Sequence, residues 1–406
     1  DALEKLALEL SPVAKRSFPE AVAVARLYEE LSRPDEALAW FQRALKHRPR
    51  DGEIHRRGIQ LLRDQGSTED LLDAYGAWER ASPRDAAVAL DRASAALERG
   101  KRDLGLRLLK AVRRRFPRDA GVHQRSVDLL VRHGGSRAEI EKITRRLITL
   151  EPREPGHVIS LGEIHWSAGK RSDAVATWRA LIALEVRPGQ GHLRFAEVLA
   201  EHGQNQDARR HFEEAMAAAP DDPRISRPYA RWLDRQGEAA LGAQIWQKVL
   251  ESTREDPGRR PWAQQARQRI VAQWKRSGQL PGQKKRLRAD VDRIPPDMEA
   301  GRMLTEILLE EGRWNEAEAL LVRLRKSDPE SLDLLDALEA LYTQTGQDVA
   351  VLGVLEEVAA RRPLEASEAL SRSARIALRM GDTERALELA RRFCPIHLRL
   401  AIPADH

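Results

Sequence analysis

The chain has 406 residues, 33 % of them charged and 42 % hydrophobic, with 69 Lys and Arg against 63 Asp and Glu and a net charge of +6. That balance excludes a wholly disordered chain, and no run of about 18 apolar residues occurs that would make a membrane-crossing helix. A single cysteine, Cys394, excludes an intrachain disulfide, a thiolate zinc cage and a CxxC redox pair.

In chain order, Asp1 to Leu10 reads as one helix closed by Ser11-Pro12. It has no partner before it, so residues 1–17 are expected to be a partial unit, the second helix only. Leu3, Leu6, Leu8 and Leu10 do not form the polar cap that ends a helical array, which leads to the expectation of further units upstream. From residue 18 a regular beat sets in. Gly66, Gly100, Gly134, Gly169, Gly203, Gly237, Gly278, Gly312, Gly346 and Gly381 are spaced 34, 34, 35, 34, 34, 41, 34, 34 and 35 residues apart. Prolines at 49, 83, 117, 152, 220, 295, 329 and 363 keep the same period at another phase. A glycine that ends a helix reverses the chain without steric cost, and a proline after the next helix stops it and opens a new unit. Apolar residues between these marks recur at three and four. The unit is a helix–turn–helix of about 34 residues.

The position nine residues after each glycine is apolar in all ten units, as in Tyr75, Trp178, Phe212 and Trp246. The position five after is Gly or Ala in six units, and half of the positions seven before it are Gly or Ala. Large knobs on second helices therefore face small-residue holes. Glu139, Gln283 and Glu339 depart from this and are expected to loosen their units.

These residues resemble the tetratricopeptide repeat (TPR), best in Leu161-Gly162 … Gly169 … Ala174 … Trp178, in Ala196 … Gly203 … Ala208 … Phe212 … Ala215 … Pro220 and in residues 36–44 with Pro49. The resemblance covers residues 18 to 395. It implies an all-α TPR solenoid, a right-handed superhelix of about eleven repeats with the first helix of each pair on the concave face. Units 1 to 7 are expected over 18–250 and units 8 to 11 over 264–395. The long interval places an insertion or hinge at 251–263. Ile396, Leu398, Leu400 and Ile402 alternate with other residues, so 396–406 is expected as a non-repeat tail with a possible strand.

Charge is uneven. Residues 251–296 hold twelve Lys and Arg against five Asp and Glu, a local +7 that includes Lys284, Lys285, Arg286 and Arg288. Trp262 and Trp274 lie in the same stretch, so RNA binding is one reading of the stripe; an acidic protein partner is another. No sequence motif supports catalysis. HExxH, GxSxG and EF-hand spacings are missing, and Gly162 … Gly169-Lys170-Arg171 lacks the phosphate-loop spacing and its Ser/Thr. Cys394 and His397 have no third group to orient them. His165 reads as a core histidine, and Pro34-Asp35-Glu36 and Asp221-Asp222 read as helix caps. Neither cofactor nor metal is expected.

The functional expectation is a non-catalytic scaffold for protein–protein interaction. By repeat alignment its groove includes Arg26, Arg56, Gln60, Arg63, Asp128, Glu163, Trp166, Glu197, Arg231 and Asp234, a mixed set unlike an all-basic clamp for a terminal carboxylate. Long arrays of this kind, of GC-rich character and joined to β-structure after the last repeat, look like the periplasmic scaffolds of bacterial exopolysaccharide secretion. That resemblance implies a periplasmic location, with the cytoplasm as the other candidate, and docking of partner proteins.

Overall fold

The computed structural model describes residues 2–14, 17–65, 67–184, 186–253, 257–363 and 365–393. Among them are 23 α-helices and no strand. First helices of the pairs are α2 (Phe18–Glu30), α4 (Gly52–Gln65), α6 (Ala86–Glu98), α8 (Ala120–Arg132), α10 (Pro155–Ser167), α12 (Gln190–Glu201), α14 (Pro223–Arg235), α16 (Arg260–Arg276), α18 (Met298–Glu310), α20 (Leu332–Gln344) and α22 (Ala366–Arg379). Second helices are α1 (Ala2–Ala14), α3 (Pro34–His47), α5 (Thr68–Ala81), α7 (Arg102–Arg115), α9 (Arg137–Leu150), α11 (Arg171–Trp178), α13 (Asn205–Ala218), α15 (Ala239–Thr253), α17 (Leu280–Val291), α19 (Trp314–Ser327), α21 (Asp348–Arg361) and α23 (Thr383–Phe393). The chain divides into two compact units, Asp1–Arg187 with Arg194–Ala208, and Pro188–Leu193 with Arg209–His406. Within the first, α2 packs on α3, α6 on α7 and α10 on α11; within the second, α14 packs on α15, α18 on α19 and α22 on α23.

The turns are chemically uniform. All nine described glycines of the series have φ between +68° and +83°; Gly66 lies outside the described residues. At Gly169 (φ +76°) the following amide, Lys170 N–H, donates to the His165 carbonyl at 3.0 Å. This is the hydrogen bond that closes a helix C-terminus when the next residue turns left-handed. The same bond recurs from Gln204 to Leu199 in the first unit and from Arg313 to Leu308 in the second. One unit does without glycine. Ser32, 34 residues before Gly66, takes φ +55°, and Arg33 N–H donates to the Tyr28 carbonyl at 2.9 Å.

Knobs enter holes as the spacing implies. Trp178 is fully buried on α11, and a Cβ on Gly162 of α10 would lie 1.9 Å from its indole nitrogen. That nitrogen donates to the Ile159 carbonyl at 3.1 Å, so the ring is hydrogen-bonded as well as packed. Phe212 stacks on Tyr229 (5.1 Å between centroids) and tilts against Trp232 (5.2 Å). Of the ten knob positions, Ala390 alone is half-buried and the other nine are buried. Two of the three exceptional polar positions are accommodated by pairing: Glu139 accepts from Arg113, and Glu339 accepts from Arg372.

Asp222 caps α14 by accepting from Arg224 N–H at 2.9 Å. Asp35 and Glu36 do not cap: Arg33 is the N-cap of α3, and the two acids lie in its first turn, where they favour the positive end of the helix dipole. His165 is buried, with Nδ1 3.1 Å from the Thr177 hydroxyl, as a core histidine should be. Around the long interval, α15 and α16 have 15 and 17 residues and the other described helices have 14 or fewer. A 3-10 turn over Pro257–Arg259 leads into α16. Residues 254–256, the pair Cys394 and His397, and the alternating stretch 396–402 lie outside the described residues.

Two outcomes follow for stability. Trp178→Ala should lower unfolding free energy by about 3–5 kcal/mol, the cost of emptying a buried aromatic site, read from the thermal or urea midpoint. Ser32→Gly should raise it by about 1 kcal/mol, because glycine removes the left-handed strain.

Candidate functional site

The groove residues expected from the repeat register all lie on first helices, and the basic quartet lies on the second helix α17. In the first unit, Arg26 on α2 is exposed, as is Arg56 on α4, which pairs with Glu53 of its own helix at 3.3 Å. Arg63 reaches across to α5 and donates to the Tyr75 hydroxyl at 2.7 Å. Exposed Gln60 and Asp128 bond within their own helices, to Asp64 and Gln124. Glu163 and Trp166 are brought together by His202: its Nε2 lies 2.7 Å from Glu163 Oε1, and its ring sits 4.6 Å from the Trp166 ring. Arg171 places its cation 5.3 Å from the same indole. Glu197 is exposed on α12.

In the second unit, Arg231 is exposed on α14, while Asp234 accepts from the Trp246 indole nitrogen at 3.0 Å and so ties α14 to α15. The basic stripe is largely engaged with acids. Among the described residues, Arg260, Arg267, Arg269, Lys275, Lys284, Arg286, Arg288 and Arg293 make ion pairs, six of them to residues outside 251–296. Lys284 is mostly covered and donates to Glu311. Lys285 and Arg286 are exposed. The local +7 is therefore met in the fold by carboxylates that the next repeats supply.

Three first helices of the second unit, α16, α18 and α20, line a groove of about 360 Å³. Its floor includes Thr305, Leu309, Ala337 and Ala340, with Leu321 of α19 beneath; its polar wall includes Arg260, Arg267, Arg302, Glu306, Asp333 and Asp336. Charges alternate along the wall. Glu299 is shared by Arg267 (3.4 Å) and Arg302 (3.5 Å), Asp333 by Arg302 (3.4 Å) and Arg260, and Asp336 by Arg260 (3.5 Å) and Arg362 (2.8 Å). Arg267 and Glu299 are buried. The Nε atoms of Arg267, Arg302 and Arg362 are buried without a hydrogen-bond partner. A buried donor left unpaired costs about 1–3 kcal/mol. Beside Arg267, burial pushes the Glu306 carboxyl above the ordinary range, against the pull of that arginine.

The earlier register did contain a signal for this groove. Positions ten, six and three before the turn glycine gave Arg56, Gln60 and Arg63 from Gly66. Applied to Gly312 they give Arg302, Glu306 and Leu309, and applied to Gly346 they give Asp336 and Ala340, all groove residues. The charge count along 251–296 drew attention away from them.

Helix pairs closed by left-handed glycines and locked by knobs in small-residue holes define an α-helical repeat scaffold. The tetratricopeptide-repeat profile matches residues 22–86, 159–223 and 193–259, so those segments are repeats of that kind, and helix pairs continue through the other described residues. No curated protein sequence matches it. Similar solved structures include yeast Tom70, 12 % identical over 95 % of this chain and 91 % of that one with a TM-score of 0.36. Naa15/Naa10 bound to HypK-THB is 13 % identical over 92 % and 67 %, TM-score 0.34. MamA 41-end from Desulfovibrio magneticus RS-1 is 16 % identical over 41 % and 94 %, TM-score 0.29.

The raised carboxyl gives a pH test. A folded-state value above the unfolded one means Glu306 opposes folding wherever the unfolded chain is ionised. Glu306→Gln should therefore raise the melting temperature near neutral pH. The gain should shrink as pH falls through the raised Glu306 value and vanish below the ordinary carboxylate range, where both states are protonated.

Proposed function

We propose that this TPR scaffold docks proteins without catalysis, and that the groove of α16, α18 and α20 receives an extended peptide segment with an acidic side chain. The observation that carries this reading is a charged wall that includes Arg260, Arg267 and Arg302 beside an apolar floor. Arginine forks pair bidentately with carboxylates, and a main-chain segment laid along stacked first helices is a mode in which repeat arrays bind. The exposed side chains Arg26, Arg56 and Arg231 and the Glu163–Trp166 cluster offer further contacts on the other first helices.

A finer reading is the periplasmic scaffold of an exopolysaccharide secretion system, which rests on the length and arginine-rich character of the array. The alternative is RNA binding through 251–296, where Lys285 and Arg286 are exposed.

Anisotropy with labelled peptides tests the docking reading. Peptides bearing Asp or Glu should bind better than their Asn or Gln counterparts, and affinity should fall with salt. Ala340→Trp, which fills the groove from an exposed position of its floor and replaces no member of the ion pairs, should abolish binding while leaving the melt unchanged within about 0.5 kcal/mol. Equal binding of acidic and amide peptides would sink the groove assignment. RNA retained with a steep salt slope and lost on Lys285→Glu would favour the stripe instead. Lys284→Glu is a poor probe for either, since it faces Glu311 and should itself lower stability.

A further inference from the structure

Outside the groove, α12 and α13 bring together three side chains; His192 stands eleven residues before Gly203, the register of His55 and His123, but where those two meet proline carbonyls it meets another imidazole and a carboxylate. His192 Nδ1 and His211 Nδ1 are 3.1 Å apart. Glu214 Oε2 lies 2.9 Å from the first and 2.6 Å from the second. His211 is buried, with 9 % of its side chain accessible, while His192 (26 %) and Glu214 (43 %) reach solvent.

Hydrogen bonds alone cannot satisfy this triangle. A neutral imidazole nitrogen is either a donor or an acceptor, and an ionised carboxylate only accepts. If one Nδ1 carries a proton, the other turns its lone pair towards the carboxylate oxygen. If both carry protons, two N–H groups face each other across 3.1 Å. Every arrangement with neutral rings leaves one repulsive edge, and a cation at the centre makes all three donors favourable at once.

Gly189 builds the approach. It is the one described glycine with positive φ (+78°) outside the 34-residue series, and a Cβ there would lie 2.5 Å from the Ala215 carbonyl oxygen. Its left-handed turn lets the start of α12 lie against α13. Leu193 N–H donates back to the Gly189 carbonyl at 2.9 Å, which sets His192 in the first turn, opposite His211 and Glu214.

We propose that His192, His211 and Glu214 bind a divalent cation of the zinc class, with the fourth position open to water or to a donor from a partner. Two imidazoles and a carboxylate are a zinc donor set at bonds of about 2.0–2.2 Å. Donors held at those lengths in a tetrahedron stand ~3.4 Å apart, so the three separations need to open by about 0.3–0.8 Å to admit the ion. Imidazole nitrogen also suits copper and nickel, whereas calcium and magnesium require more oxygen ligands.

The test is competition of the metal-free full chain with a chromophoric chelator for Zn²⁺ alone, with Co²⁺ absorption as a second readout of geometry. One equivalent should bind, Zn²⁺ should raise the melting temperature, and Co²⁺ should give the intense bands of a tetrahedral site. His192→Ala and Glu214→Gln, both at solvent-reaching positions, should weaken binding by roughly 100-fold or more with helicity unchanged by circular dichroism. Absence of stoichiometric Zn²⁺ binding would overturn the proposal. Binding retained undiminished in both variants would also overturn it, by placing the ion on other histidines.

Discussion

Everything in this fold depends on how closely two helices approach within a unit. Trp178 lies across α10 at the level of Gly162, where no side chain could be added. That contact sets the separation of the pair, and the left-handed glycine at the turn sets its direction. Once both are fixed, the next unit has one way to stack, because its own knob must find its own hole. Repetition then does the work of a core: burial is distributed through clusters such as that of α6 to α9 instead of being gathered at one centre.

This explains what could be read from the sequence. Turn glycines and knobs are local constraints, repeated at one spacing, so the architecture was legible from Gly100 to Gly381 without knowledge of any long-range contact. Ser32 shows the limit of the rule: the turn persists where its usual residue does not, since hydrogen-bond closure and packing on both sides outweigh the strain. The groove was less legible. Its charges acquire meaning through partners one repeat away, as when Arg267 meets Glu299, and a window counted along the chain assigns such cations to a patch they do not form. The cluster at His192 was not legible, because it depends on Gly189, a turn outside the period.

The pattern of those distant partners accounts for the abundance of arginine. Arg125 reaches Asp91, Lys101 reaches Glu69, Arg302 reaches Asp333, Arg379 reaches Asp348, each across roughly one repeat length. A single exposed pair contributes little, about 0–1 kcal/mol. Set at many junctions, such pairs connect neighbouring helix pairs on their solvent side.

These pairs also have a mechanical consequence. Apolar packing between neighbours resists separation but tolerates small rocking, since it is non-directional. Ion pairs at the rim resist rocking, and they do so through a force whose range contracts from about 10 Å at 0.1 M salt to about 3 Å at 1 M. Each of the two compact units is therefore a spring with two components, one indifferent to ionic strength and one set by it. Its compliance follows the surrounding electrolyte, and so does the ease with which adjoining first helices spread to admit a guest.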